Sequence, residues 1–323
     1  MDTIFSNYVT PFMSTETPKD TRPFRKRLKY QILYYLVRFV IFITGKLPRR
    51  LTLSLYGGLG SLAYYFAGKS RDRAVTHLQM VFGKTQTVEE SRKIAKRMYT
   101  NIGKNFSDII RTFSMETSEE LTSLFEVKGK ENLDTAFARG KGVLALTGHY
   151  GAFEFLGPYV GLNYPFIAMG TKLKDPKLDS LIVKHRSRNN VEYIYRGENT
   201  MKLLRALKQG MVVPILIDQD TKVKSRFVDF MGIPAATPIG AVTLALKTGA
   251  SVVPMYTFLD ENNKQSFNIL PEIPMTITGD DEVDFVVNTK KMNESLEQFI
   301  YRDPSQWVWM HERWKTKPGE EIL

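Results

Sequence analysis

Hydrophobic and polar positions change rhythm once along this chain, near Val127. Beyond that point short apolar runs recur at 142–146, 166–169, 193–195, 212–217 and 252–258. Patterns of helical period lie between them, at 153–160, 178–188, 200–209 and 240–248. Runs of this length read as buried strands. Strands alternating with helices predict an α/β fold, a largely parallel mixed sheet flanked by helices.

From Tyr30 to Phe125 the pattern is helical. Residues 69–125 are polar, but Ile94, Met98 and Ile102 with Ala95 and Tyr99 repeat at the spacing of one helix face. The basic positions Arg92, Lys93, Lys96 and Arg97 fall on the remaining surface, either as a solvated side or as a docking face for an acidic protein. Residues 30–44 are apolar and aromatic, broken by Arg38, and residues 51–68 carry no charge at all but hold Gly57, Gly58 and Gly60. Basic residues flank both runs: Arg22, Arg25, Lys26, Arg27 and Lys29 before them, Lys46, Arg49 and Arg50 between them. Such flanks around Tyr-rich apolar helices fit attachment at an anionic cytoplasmic leaflet; the alternative is a pair of helices buried in a soluble core. A full span takes roughly 20 apolar residues, so spanning or lying on the surface stays open. Gly58-Leu59-Gly60-Ser61-Leu62-Ala63 matches the dinucleotide-binding pattern G-x-G-x-x-A, yet no strand precedes it, and small residues on an apolar helix have a packing explanation. The expected organisation is a disordered, basic tail at 1–29, membrane-associated apolar helices at 30–68, a helical segment at 69–125 and an α/β core at 126–318. Residues 30–318 act as one unit.

Composition sharpens this picture. With 323 residues, 43% hydrophobic and 24% charged, the chain can bury a sizeable core. The formal net charge of +11 implies an anionic partner. There are no cysteines, so thiolate nucleophiles, disulfides and Cys-ligated metals are excluded, and the four histidines (His77, His149, His185, His311) leave little for a multi-His metal centre.

The chemistry concentrates where the run at 142–146 breaks. Gly148 is followed by His149, and Glu154 stands five positions further on. A His that takes a proton and a carboxylate that orients it are the parts of a general base, here at a strand-to-helix corner near a helix N-terminus. Asp218-Gln219-Asp220 follows the run at 212–217, so it falls at another carboxyl strand end, where ligands of such sheets bind. The two aspartates lack a third ligand at metal spacing, and no metal is expected. Lys184-His185-Arg186-Ser187-Arg188 either holds an anionic group, Arg being the better holder, or faces water. Phe230 to Pro238 reads as a Pro-punctuated apolar loop. No G-x-S-x-G elbow, H-E-x-x-H or P-loop occurs, so a base here serves a hydroxyl of the substrate itself.

Taken in order, several of these stretches resemble the lipid A biosynthesis (lauroyl/myristoyl) acyltransferase family of the glycerolipid-acyltransferase superfamily. The resemblance runs from about Tyr30 to Pro318. It is carried by Leu47-Pro48-Arg49, Arg71-Asp72-Arg73 leading to Val81-Phe82, Gly148-His149-Tyr150-Gly151-Ala152-Phe153-Glu154, His185-Arg186-Ser187-Arg188, Ile217-Asp218-Gln219, Phe230 through Pro254, and Trp307 through Pro318. It implies transfer of an acyl chain from acyl carrier protein to a hydroxyl of a lipid A precursor at the cytoplasmic face of the inner membrane, without cofactor, metal or covalent acyl-enzyme. On that pattern His149 is the base and Glu154 its orienting partner. Arg186 and Arg188 meet an anionic group or developing oxyanion, and Asp218 and Gln219 shape the acceptor side. Two departures stand out: Ala152-Phe153 replaces the family's usual Asn-Trp, and Asn190 replaces a Gly. Other lipid acceptors, and an inactive membrane-anchored lipid-binding protein, are the competing readings. A nucleic-acid binder lacks the aromatic-basic modules such proteins use.

Overall fold

The structure, a computed structural model, describes residues 22–115, 117–187, 191–195 and 200–320. The tail 1–20, Arg188 and Asn190 lie outside the described residues. In chain order the elements are α1 (Phe24–Lys46), α2 (Arg49–Phe66), α3 (Gly68–Phe82), α4 (Val88–Thr112), α5 (Ser118–Thr122), β1 (Phe125–Lys128), α6 (Lys130–Ala138), β2 (Val143–Thr147), α7 (Leu156–Asn163), β3 (Phe166–Gly170), α8 (Pro176–Arg186), β4 (Val191–Tyr195), α9 (Thr200–Lys208), β5 (Val212–Leu216), β6 (Ser225–Phe230), β7 (Ile233–Pro238), α10 (Gly240–Thr248), β8 (Ser251–Leu259), β9 (Gln265–Ile269) and α11 (Asp281–Arg302).

One sheet organises the molecule, with strand order β1-β9-β8-β2-β5-β3-β4. Strands β8, β2, β5, β3 and β4 are parallel, while β9 pairs antiparallel with β8 and carries β1 with it. The mixed, largely parallel sheet expected from the pattern is present. Side chains alternate across β2 with period two, Leu144 and Leu146 entering one core and Val143 and Ala145 the other. Both faces are buried, which is why the strand reads as an unbroken apolar run.

Three expectations need correction. The first helix begins at Phe24, so Arg25, Lys26, Arg27 and Lys29 form its opening turns and are not part of a tail. These residues are sound helix formers, and basic composition says nothing against a helix. Phe230 to Pro238 is not a loop: β6 and β7 make a two-stranded hairpin that turns at Met231 and Gly232, both with positive φ. Glu297 accepts the Met231 N–H at 2.8 Å, holding a backbone conformation that methionine disfavours. Finally, the helix expected from Phe153 opens as a 3₁₀ turn at Phe153–Phe155, and α7 proper begins at Leu156.

The N-terminal helices are set against this core differently. α2 lies along α4 through close backbone contact: a Cβ at Gly60 would collide with the Tyr99 carbonyl, and one at Gly103 with that of Tyr56. That is the packing explanation of Gly60; Gly57 faces the Lys104 side chain, and a Cβ at Gly58 would meet nothing. The opposite face of α2 exposes Leu51, Leu55, Leu59, Leu62 and Phe66, and α1 exposes Phe24, Ile32, Leu36, Phe39 and Phe42. Among the described residues α1 is the one helix long and apolar enough to cross a membrane.

Candidate active site

Neighbouring strands β2 and β5 run parallel in register, their last pair being Thr147 and Leu216. Two residues past each end stand His149 and Asp218, so the sheet itself delivers them side by side. His149 Nδ1 lies 3.0 Å from Asp218 Oδ1, and the His149 backbone N–H donates to Oδ2 at 2.7 Å. An ionised carboxylate only accepts, so Nδ1 carries a proton and Nε2 is the basic nitrogen of the neutral ring. Asp218 is fully buried while about a quarter of His149 is exposed. The carboxylate therefore backs the imidazole, and the imidazole faces outward.

Burial opposes ionisation of Asp218. The charge of His149 and hydrogen bonds from its ring, the Trp307 indole and the His149 backbone more than offset that, and together they hold the carboxyl below the usual range. A Cβ at Gly148 would lie 3.0 Å from Asp218 Oδ2, so the glycine before His149 leaves room for this approach.

The chain beyond His149 is tied to the C-terminal segment and not wound into a helix. Tyr150 forms an antiparallel bridge with Trp307, the Gly151 N–H donates to the Gln306 carbonyl at 3.0 Å, and Trp307 Nε1 donates to Asp218 Oδ2 at 2.9 Å. Gly151, at φ +59°, sits against the Thr257 carbonyl where a Cβ would collide. The helix N-terminus expected beside His149 is displaced to Leu156 for this reason.

Glu154 has another partner than the one expected of it. Arg186, the last residue of α8, places Nη2 2.7 and 2.8 Å from the two Glu154 oxygens. Burial disfavours the Arg186 cation, but the Glu154 charge and contact with Tyr193 more than compensate. Phe153 meets the His149 ring edge-on, with centroids 5.0 Å apart. The ion pair stands in the wall of a mainly apolar recess that also includes Phe153, Leu156, Gly157, Phe166, Met169 and Leu216. Ala152, one of the two departures within the box, is buried in the core and not at the recess. Gln219 is half-buried next to Asp218, and Asp220 is buried and accepts the Thr316 N–H at 2.9 Å.

The sequence reading paired His149 with Glu154; the structure bonds the His149 ring to Asp218 and Glu154 to Arg186. Asp218, expected on the acceptor side, is buried and is the carboxylate bonded to the His149 ring. The signal was available: both residues follow runs that become adjacent parallel strands. Trp307 gave no signal, since nothing local marks a tryptophan as the donor to a residue 89 positions away.

The sequence pattern of the family described as bacterial lipid A biosynthesis acyltransferase matches residues 21–316. A lipid A biosynthesis palmitoleoyltransferase of Escherichia coli K12 is 27% identical over 298 residues, covering 90% of this chain and 94% of that one. The lipid A biosynthesis lauroyltransferase of the same organism is 26% identical over 283 residues, 86% and 90% of the two chains. A phosphatidylinositol mannoside acyltransferase of Mycobacterium tuberculosis is 25% identical over 199 residues, 60% and 61% of the two.

Proposed function

The chain belongs to the bacterial lipid A biosynthesis acyltransferase family, and on that footing we propose that it moves a fatty acyl chain from an acyl carrier protein thioester to a hydroxyl of a lipid A precursor. The observation that carries the mechanism is the His149–Asp218 pair at adjacent strand ends. In this reading His149 Nε2 takes the proton of the acceptor hydroxyl as its oxygen attacks the thioester carbonyl. The carbon–oxygen bond forms, the carbon–sulfur bond breaks, and the thiolate leaves with the proton that the imidazolium returns. No acyl group rests on the protein, because a thioester is already activated and needs only deprotonation, positioning and charge stabilisation. Asp218 positions the ring and stabilises the imidazolium; Arg186 and Glu154, bonded to one another, shape the wall where the acyl group lies.

The setting supports a membrane-bound acceptor at the cytoplasmic face of the inner membrane. Because α2 is packed lengthwise on α4, it cannot span; its exposed leucine row suits an orientation in the plane of the interface. The opening turns of α1 add Arg25, Lys26, Arg27 and Lys29, whose charges suit an anionic leaflet. The net charge of +11 also suits an acidic carrier protein, drawn in by electrostatic steering.

The test is lipid mass spectrometry of cells with and without the protein, joined to transfer assays with acyl carrier protein and coenzyme A thioesters. Loss of one acyl chain from lipid A alone is the expected result. An unchanged lipid A together with a changed glycolipid would move the reading to another acceptor, which the match to a phosphatidylinositol mannoside acyltransferase keeps in view. No transfer to any lipid would leave a binding protein.

The apolar recess is assigned to the donor's acyl chain, and this assignment yields a separate prediction. A Cβ at Gly157 would meet only the Phe166 ring, at 3.5 Å, so Gly157→Leu fits the backbone and projects into the recess. Each methylene that no longer fits costs roughly 10- to 200-fold in specificity. Competition between acyl donors of graded length should therefore shift toward shorter chains.

A further inference from the structure

Asp218 sits just past the end of β5, where the sheet's backbone ladder no longer holds it. Its carboxylate nonetheless has one defined orientation. Oδ2 accepts both the His149 backbone N–H and the Trp307 indole N–H, which leaves Oδ1 for the imidazole. We propose that Trp307 is a positioning residue for the transfer reaction, the C-terminal segment acting through it to hold Asp218 against His149. This rests on the reading of His149 and Asp218 given above.

Three observations carry the inference. The indole N–H is a donor only, so it can satisfy a carboxylate but cannot compete with it for the imidazole proton. The indole is also immobile: Trp307 is 1% exposed, and Phe230, Trp309 and Trp314 surround its ring with centroids at 5.5, 4.8 and 6.2 Å. The bridge from Trp307 to Tyr150, with the Gly151 to Gln306 hydrogen bond, fixes the segment to the residues directly after His149. One short pairing therefore locates the base, its carboxylate and the donor that orients the carboxylate. The titratable and charged groups whose fields bear on Asp218 are His149, His311 and the buried guanidinium of Arg313.

A tryptophan that merely fills the core would affect stability alone, so the test separates packing from the N–H. Trp307→Phe keeps an aromatic ring without the donor, and 3-benzothienylalanine at the same position replaces N–H by sulfur at almost constant shape. Phe230→Leu loosens the same cluster while leaving every hydrogen bond to Asp218 in place. For both Trp307 variants kcat should fall roughly ten- to a hundred-fold, the range of a hydrogen bond to a charged group, with KM changed little. With Asp218 less compensated, the imidazolium is favoured, so the acid limb of the kcat/KM profile should move up by a few tenths of a pH unit, an estimate on the order of a weakened charge pair. Phe230→Leu should lower Tm without moving that limb. Should Trp307→Phe not fold, the isosteric variant decides. Unchanged kcat and pH profile in a folded Trp307 variant, or a response equal to that of Phe230→Leu, would overturn the inference. Failure of the underlying reading is distinguishable, because His149→Ala would then retain full transfer.

Discussion

His149→Ala should lower the acyl transfer rate by about 10²- to 10⁴-fold, the contribution of a well-placed general base. The loss should fall on kcat, with KM for the lipid acceptor near its original value, because the ring meets the reacting hydroxyl and not the remote parts of either substrate. Folding should survive. About a quarter of His149 is exposed, and its backbone N–H still reaches Asp218. The check is a single-turnover rate with purified protein and a defined thioester, alongside Tm. An unchanged rate would remove the proposed mechanism whatever the lipid phenotype in cells.

Asp218→Asn should be as damaging while altering almost no volume. Two donors converge on Oδ2, the His149 backbone N–H at 2.7 Å and the Trp307 indole N–H at 2.9 Å, so the asparagine oxygen must take that place. Its amide nitrogen then faces His149 Nδ1 and donates a hydrogen bond to it. The ring is forced into the tautomer with its proton on Nε2, where the base should be. The equivalent change in a serine protease triad costs about 10⁴-fold, and a loss of about 10³- to 10⁴-fold is expected here. Glu154→Gln, which leaves the imidazole pair intact, should cost much less; an equal loss would return the orienting role to Glu154. A stability consequence follows from the same carboxyl. Its folded pKa is depressed, so it contributes stability above the unfolded value of about 3.9, and this is lost as pH falls through the lower folded value. The asparagine variant should therefore show a flatter acid limb in Tm against pH.

What could be read from the sequence follows from how locally each feature is determined. β2 and β8 were legible because a strand buried on both faces must be apolar along its length, and α10 because turn residues bound it. β9, Gln-Ser-Phe-Asn-Ile, was not legible: Gln265 is buried yet bonded to Asn105, and polar residues satisfied across the fold erase the apolar signal. The β6–β7 hairpin was missed because its turn uses Met231-Gly232, held by Glu297 from α11, in place of an Asn-Gly pair.

The sequence by itself determined the fold class, the amphipathic and apolar helices of the N-terminal part, the family, and the motif in which His149 stands. Each of these depends on local periodicity or on a contiguous motif. Only the tertiary structure decided which carboxylate is bonded to that histidine. Glu154 is five positions away but is claimed by Arg186, while Asp218, 69 positions away, reaches the ring because two parallel strands end in register. The donor that orients Asp218 comes from further still along the chain. Proton chemistry needs contacts of about 3 Å, and sequence separation carries no information on that scale once a sheet has brought distant segments together.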